Sequence, residues 1–415
     1  MQVTHRIDSF PERSDDDVTL QLGDVVDVRL DRPAHGGYSV GRVDGQVVFV
    51  RLGIPGELVR ANITDVGSGG RFLRAEVETV LEASADRVVP VCPHAVPSGC
   101  GGCDWQHVNV HRQREMKAEI VREQLIRVGK CDPADPVLTS LQVEPCGDDD
   151  SGFGYRTRMD FVADGRGRLG LRSARSHDVI ALRRCPLAVD RINDSEALHQ
   201  PWAVDADVRV TAAHSGTVVT PSGADPVVVT EHVNDRTFEV QSTGFWQVHR
   251  NAAAVFSSLA RTMLDPRPGE FLLDLYGGVG LFAGTLAPLL GAGGRTVVVE
   301  GDRNAARMAK RNLRGIAHVD VQAASVEQWV RRTPITKVDV VVLDPPRAGA
   351  GKQVMAGILR MRPRRLLYVA CDPASLARDV EFARTCDYRL TALRAIDAFP
   401  HTAHIESFAL LEPGA

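Results

Sequence analysis

The 415-residue chain contains no run of about 18 apolar residues, which excludes a membrane-spanning helix. Its opening, MQVTHRIDSFPERSDDD, lacks the apolar core of a secretory signal, so a reducing cytosol is the expected compartment. There the eight cysteines are expected as metal ligands, a nucleophile or buried thiols rather than disulfides. Lysine is scarce, confined to Lys117, Lys130, Lys310, Lys337 and Lys352. Arginine carries the rest of the positive charge, a bias that genomic base composition accounts for. Positive charge is not in surplus: 49 Lys+Arg face 53 Asp+Glu, a net of −4, so the whole chain carries no signature of a nucleic-acid binder. Internal repeats are absent, as are low-complexity runs beyond a short acidic stretch.

The 44% hydrophobic and 25% charged fractions are those of an ordinary globular protein. At roughly 150 residues per domain, the length implies two or three domains. Charge is unevenly spread. An acidic opening (Asp15, Asp16, Asp17, Asp24, Asp27, Asp31) precedes a basic middle with Arg156, Arg158, Arg166, Arg168, Arg172, Arg175, Arg183 and Arg184. A polyanion would be met locally, by that stripe.

Residues 16–80 read as short alternating strands separated by glycine turns, expected to close into a small barrel of oligonucleotide-binding type. GD at 23–24, HGGYSVGRVDG and PGE at 55–57 resemble a TRAM domain, a small RNA-binding barrel. Residues 90–250 begin with a cysteine-bearing loop and a helix near 111–128. In that helix Ile120, Leu125 and Val128 are expected inward, and Arg112, Arg114 and Arg122 outward. A β-rich, antiparallel middle domain follows. From 251 to 415 strands and helices alternate, the rhythm of a parallel sheet covered on both faces. YRLTALRAID and HIESFALLE close it as an antiparallel edge.

FLLDLYGGVGLFAG joins a buried strand, a glycine turn and a helix start. Gly278, Gly280 and Ala283 satisfy G-x-G-x-x-A, so a nicotinamide-dependent dehydrogenase competes with an S-adenosylmethionine (SAM) enzyme. Asp274 at the strand end favours SAM, because a carboxylate suits a cationic amino acid and repels a pyrophosphate. Glu300, ending TVVVE, is placed for ribose hydroxyls. The fold class is therefore α/β: a class I (Rossmann-like) methyltransferase sheet with an N-terminal β-barrel and a β-rich middle domain.

VDVVVLDPPRAG ends a strand at Asp344, at the sheet edge where such folds bind ligands. Arg347 stands where amino methyltransferases carry an aromatic, which argues against an exocyclic nitrogen as the methyl acceptor. RRLLYVACDPASLARD places Cys371 at the next strand end, just before a helix whose N-terminus would favour thiolate. IDAFPHTAHIESF offers Glu406 as a base, with His404 on the same face by period-two alternation. A buried structural thiol, or a zinc site of His401, His404 and Glu406, are the competing readings.

DPPRAG, sixteen residues, then LLYVACDPAS, together with IDAFPHTAHIE, closely resembles the SAM-dependent RNA (uracil-5-)-methyltransferases, and the likeness runs through nearly the whole chain. The resemblance implies a catalytic nucleophile at Cys371 and a base at Glu406. It also implies a SAM pocket lined by Gln247, Tyr276, Glu300 and Asp344. The activity implied is 5-methyluridine formation in structured RNA, ribosomal or transfer, in the cytosol; a monomer is the default expectation for its oligomeric state. An RNA-binding assembly factor that keeps the fold without turnover is the rival. Ala370 and Asp372 stand where the family has Ser and Asn, Ser375 replaces a Thr, and His249 an Asn. A carboxylate at 372 is expected to raise the pKa of the neighbouring thiol.

CPHAVPSGCGGCDWQH supplies Cys92, Cys100 and Cys103, and RRCPLA supplies Cys185. Four thiolates suit zinc or an iron–sulfur cluster, and spacing alone does not choose. The resemblance favours a 4Fe–4S cluster with a structural role, although the seven-residue first gap exceeds the family's five. Cys131, Cys146 and Cys386 read as ordinary thiols.

Overall fold

The computed structural model describes residues 20–148, 150–174 and 176–414. The start of the 16–80 span, the acidic residues Asp15, Asp16 and Asp17, and Arg175 lie outside the described residues. Five strands, β1 (Val25–Ala34), β2 (Tyr38–Val43), β3 (Gln46–Arg51), β4 (Leu58–Val66) and β5 (Phe72–Glu82), form a closed barrel in the order β1-β2-β3-β5-β4. Alternation puts Val26, Val28, Leu30, Val48, Val50, Ile63 and Leu73 in its core. Outside, arginines are held by carboxylates: Arg29 by Glu82, Arg60 by Asp27, Arg74 by Asp65.

Helix α1 (Val110–Arg127) and α2 (Pro136–Thr139) lead to the short β6 (Val143–Pro145). The middle of the chain gives β7 (Arg158–Ala163), β8 (Leu169–Arg172), β9 (Val179–Ala181), α3 (Asp190–Asn193), β10 (Asp207–Ala213) and β11 (Gly216–Pro221). Its five strands form an antiparallel sheet in the order β11-β10-β7-β8-β9. A hairpin of β12 (Val228–Val233) and β13 (Arg236–Gln241) follows.

The last part runs α4 (Ala252–Leu264), β14 (Phe271–Leu275), α5 (Leu281–Leu286), β15 (Arg295–Glu300), α6 (Arg303–Asn312), β16 (Val319–Ala323), α7 (Val326–Arg332), β17 (Val340–Leu343), α8 (Gly351–Arg360), β18 (Arg365–Ala370), α9 (Pro373–Thr385), β19 (Tyr388–Asp397) and β20 (Glu406–Pro413). Its eight-stranded sheet has the order β16-β15-β14-β17-β18-β20-β19-β6. Strands β14 to β18 are parallel, and β20 enters antiparallel between β18 and β19. The β19–β20 pair is not the sheet's edge, as the sequence suggested, because β6 adds outside β19 in parallel.

Both α1 and β6 fall within residues 90–250 of the sequence-based division, yet both pack on this sheet. Ala118, Val121 and Leu125 of α1 share a core with Leu273, Val341 and Leu376. Arg114 does not face outward: it is buried, 2.9 Å from Asp150 and 3.5 Å from Asp397. Lys117, wholly buried, lies 2.5 Å from Asp397 at the end of β19 and donates to the Phe399 carbonyl at 3.1 Å. Breaking such a pair leaves a buried charge uncompensated, at about 3–5 kcal/mol. It fixes α1 to the start of the 398–405 segment.

Candidate active site

The carboxyl ends of β14, β15, β17 and β18, the start of β20 and the 241–248 segment after β13 surround one cavity of about 770 Å³. Cys371, Glu406, Gln247, Tyr276, Glu300 and Asp344 all line it, so the six residues expected from sequence come together. Sequence reasoning passed over Phe245, Asp302, Asn304 and Phe399, which line it too, and read Arg156 only as part of the basic stripe. Two signals were available. Asp302 and Asn304 follow closely on the acid that ends β15, at the cap and first turn of α6, and Phe245 is an aromatic two residues before Gln247.

The glycine turn works through close approach. A β-carbon at Gly277 would meet Val298 Cγ1 at 2.5 Å, and Tyr276 before it has a φ of 59°, a left-handed conformation uncommon for a bulky residue. The Gly278 amide donates to Glu300 Oε2 at 2.8 Å, and the Asp302 amide to Oε1 at 2.6 Å, which fixes the Glu300 carboxylate at the cavity wall. Asp274 departs from expectation. It is buried, accepts from the Ala283 amide at 2.9 Å and does not line the cavity; burial pushes its carboxyl up to about 7. It braces the start of α5 rather than facing a ligand.

Cys371 is half-buried and lies just before the N-cap of α9. The expected thiolate stabilisation does not prevail against the thiol's surroundings. Burial first, then the Glu406 and Asp344 carboxyls, push the thiol up to about 12, against an opposing pull from Arg347. Burial also holds Asp344 and Glu406 above the usual carboxylate range, with Asp344 adding its repulsion to Glu406. All three shifts run toward the protonated forms.

Asp372 does not act on the thiol as its position suggested. Its carboxylate caps α9, accepting from the Ser375 amide at 2.7 Å, and lies 2.8 Å from His35 Nε2 on the barrel. These partners hold it down at about 2, although burial opposes them.

The zinc alternative fails on partners. His401 Nδ1 is 3.1 Å from Gln113 Nε2, its Nε2 is 3.1 Å from the Ser151 carbonyl, and its ring stacks on Phe153. His404 precedes β20, so strand alternation does not apply to it; it lies 3.3 Å from Arg347. Among the described residues no group of three His, Cys, Asp or Glu side chains could hold a metal ion.

Cys92, Cys100, Cys103 and Cys185 nevertheless line a second cavity, of about 260 Å³, together with Met159, Leu171, Leu182 and Leu187. The Gly101 amide donates to the Arg172 carbonyl and Ser173 Oγ to the Ser98 carbonyl, seating the loop on the middle sheet. Burial pushes Cys103 up to about 12 and raises Cys100 and Cys185. Arg156 lines both cavities. The basic stripe is less free than the sequence implied: Arg158 pairs with Glu231, Arg168 with Asp164, and Arg184 with Asp190 and Asp194.

The tRNA (uracil-5-)-methyltransferase family model matches residues 223–413, and the TRAM domain model residues 20–77. A Streptomyces avermitilis protein described as an uncharacterized RNA methyltransferase is 38% identical, over 95% of this chain and 99% of its own. The chain belongs to the RNA (uracil-5-)-methyltransferase family. A Bifidobacterium longum relative, described in the same words, is 36% identical over 92% of this chain and 96% of its own. The Pyrococcus abyssi tRNA (uracil-54, C5)-methyltransferase, solved with S-adenosyl-L-homocysteine, shares the fold. It has a TM-score of 0.66 and 21% identity, covering 92% of this chain and 99% of that one. Membership of an RNA (uracil-5-)-methyltransferase family removes the nicotinamide reading of Gly278 and Gly280. Among the described residues no helix is long and apolar enough to cross a membrane.

Proposed function

We propose that this enzyme makes 5-methyluridine in a structured RNA, ribosomal or transfer, by covalent catalysis through Cys371. The observation that carries the reading is a single cavity lined by a strand-end thiol, a buried carboxyl and the Glu300 loop. SAM supplies the methyl group and a net positive charge. Gln247, Tyr276, Glu300 and Asp344 would hold it.

Carbon 5 of uracil is a poor nucleophile. The Cys371 thiolate adds to carbon 6, and the electrons of the C5–C6 double bond move into an enolate. Carbon 5 then forms a bond to the methyl carbon, and the methyl–sulfur bond breaks. The Glu406 carboxylate takes the proton from carbon 5. The double bond re-forms and the C6–sulfur bond breaks, returning thiolate. The target uridine has to leave its stack to reach both groups. Incubating the protein with SAM and unmodified RNA, then analysing nucleosides, tests the assignment; absence of 5-methyluridine refutes it.

A cation entering a cavity of raised carboxyls and a raised thiol favours their ionised forms. SAM binding should therefore release protons, and its affinity should fall about tenfold per pH unit below neutrality if one proton must leave. Calorimetry in buffers of different ionisation enthalpy reads the protons directly. Identical enthalpies in all buffers would contradict proton release on binding.

Cys92, Cys100, Cys103 and Cys185 would hold a 4Fe–4S cluster. A cavity lined by four thiols suits an occupant that thiolates ligate. Among the described residues no three of these thiols are placed to hold a metal ion, so the support for a site is their shared lining of one cavity together with the family resemblance. The cluster's role is structural, tying the 92–103 loop to Cys185 on the middle unit. Anaerobically purified protein should contain about four irons and four acid-labile sulfides per chain, and Cys103→Ser should lose most of both. Metal-free protein of full activity would reject the assignment.

A further inference from the structure

The turn between β1 and β2, residues His35, Gly36 and Gly37, touches both halves of the catalytic pair's surroundings. On one side His35 Nε2 lies 2.8 Å from Asp372, the residue after Cys371 and the N-cap of α9. On the other side the Gly37 carbonyl accepts from Trp105 Nε1 at 3.3 Å. A β-carbon at Gly37, whose φ is 86°, would meet the Asp104 side chain at 3.1 Å. Asp104 in turn accepts from the Ala403 amide at 3.0 Å, three residues before Glu406. The amides of Asp104 and Trp105 both donate to the His401 carbonyl at 3.0 Å.

We propose that this barrel turn is a positioning element for catalysis, which sets Cys371 against Glu406 through His35 on Asp372 and through Gly37 on Asp104 and Trp105. The inference rests on Cys371 and Glu406 being the nucleophile and base. It gives the barrel a task besides holding RNA. Three of its arginines, at 29, 60 and 74, already have carboxylate partners, while Arg42 donates only to the Gly45 carbonyl. Asp372 also gains a purpose: the family's asparagine could cap the helix equally well, whereas a carboxylate adds a charge-assisted partner for the histidine. The His35–Asp372 pair is partly exposed, 46% and 20% by side chain. Such pairs contribute little to stability, so losing this one should move geometry more than the melting temperature.

The test is a double-mutant cycle in the full-length enzyme. His35→Ala removes the donor, and Asp372→Ser keeps an N-cap but no longer reaches the barrel. Each should lower kcat, and the single-turnover rate of covalent adduct formation, by about fivefold, the upper range for a partly exposed pair. KM for RNA, SAM affinity and melting temperature should stay close to wild type. The double variant should be no slower than either single one, because both remove the same contact. His35→Gln, whose amide still donates to Asp372, should recover most of the rate. Unchanged rates, additive losses, or a loss confined to KM for RNA would each overturn the proposal. A Cys371→Ala control separates the two levels. If it is inactive, such results sink only the positioning role; if it is active, the covalent reading falls first.

Discussion

Cys371→Ala is expected to lower turnover on unmodified RNA on the order of 10⁴-fold or more, while SAM affinity stays within about twofold. The two effects separate because the chemistry and the cofactor contacts come from different strand ends. Glu300 is fixed at the end of β15 by the Gly278 and Asp302 amides, independently of the thiol. Without sulfur at carbon 6, carbon 5 has no enolate to draw on, and no other side chain can substitute. Among the described residues lining the cavity, Cys371 is the sole thiol. Retained activity would therefore remove the covalent route altogether rather than transfer it to another cysteine. Single-turnover methyl transfer beside equilibrium binding of SAM decides the matter.

Glu406→Gln should lower turnover by about 10²- to 10⁴-fold, the usual worth of a positioned base. It should also let a protein–RNA adduct accumulate that survives denaturation. Glutamine fills the same space at the start of β20 but cannot accept the carbon 5 proton. The methylated base then stays bonded to Cys371. Removing this carboxyl also relieves the thiol of one of the charges that raise its pKa, so adduct formation should be no slower than in wild type. A denaturing gel with labelled RNA reads the result. An inactive variant without adduct would mean that Glu406 is needed before methyl transfer, against the assignment.

The sequence disclosed those parts of the molecule whose cause is local. The β2–β3 hairpin follows from a DG turn between alternating residues, and β17 and β18 from apolar runs that end at Asp344 and Cys371. What it hid depends on partners distant in the chain. Strand β6 has three residues, too few for any periodicity, and exists because β19 offers it an edge; the Glu144–Arg394 pair between the two strands spans 250 positions. Arg114 turns inward because the buried Asp397 waits there, with Asp150 meeting it from the surface.

Charge at the site was misjudged for the same reason. A thiol before a helix is legible in a string of letters, but the burial and two raised carboxyls around it are not. Nor is the barrel histidine that holds Asp372 aside. Asp274 looked like a ligand-facing acid because strand ends in this fold face ligands, and only the Ala283 amide reveals the task it performs.

The place of β6 bears on how the protein can be dissected. A fragment beginning at residue 251 would contain every residue of the SAM-side motifs except Gln247. It would also lay bare the outer backbone of β19 and the apolar surface that Ala118, Val121 and Leu125 cover. An uncovered strand edge beside exposed apolar side chains is a template for intermolecular pairing. The catalytic unit is thus not severable at the boundary its motifs suggest: the segment that shields it from aggregation is made more than a hundred residues earlier, between the barrel and the middle sheet.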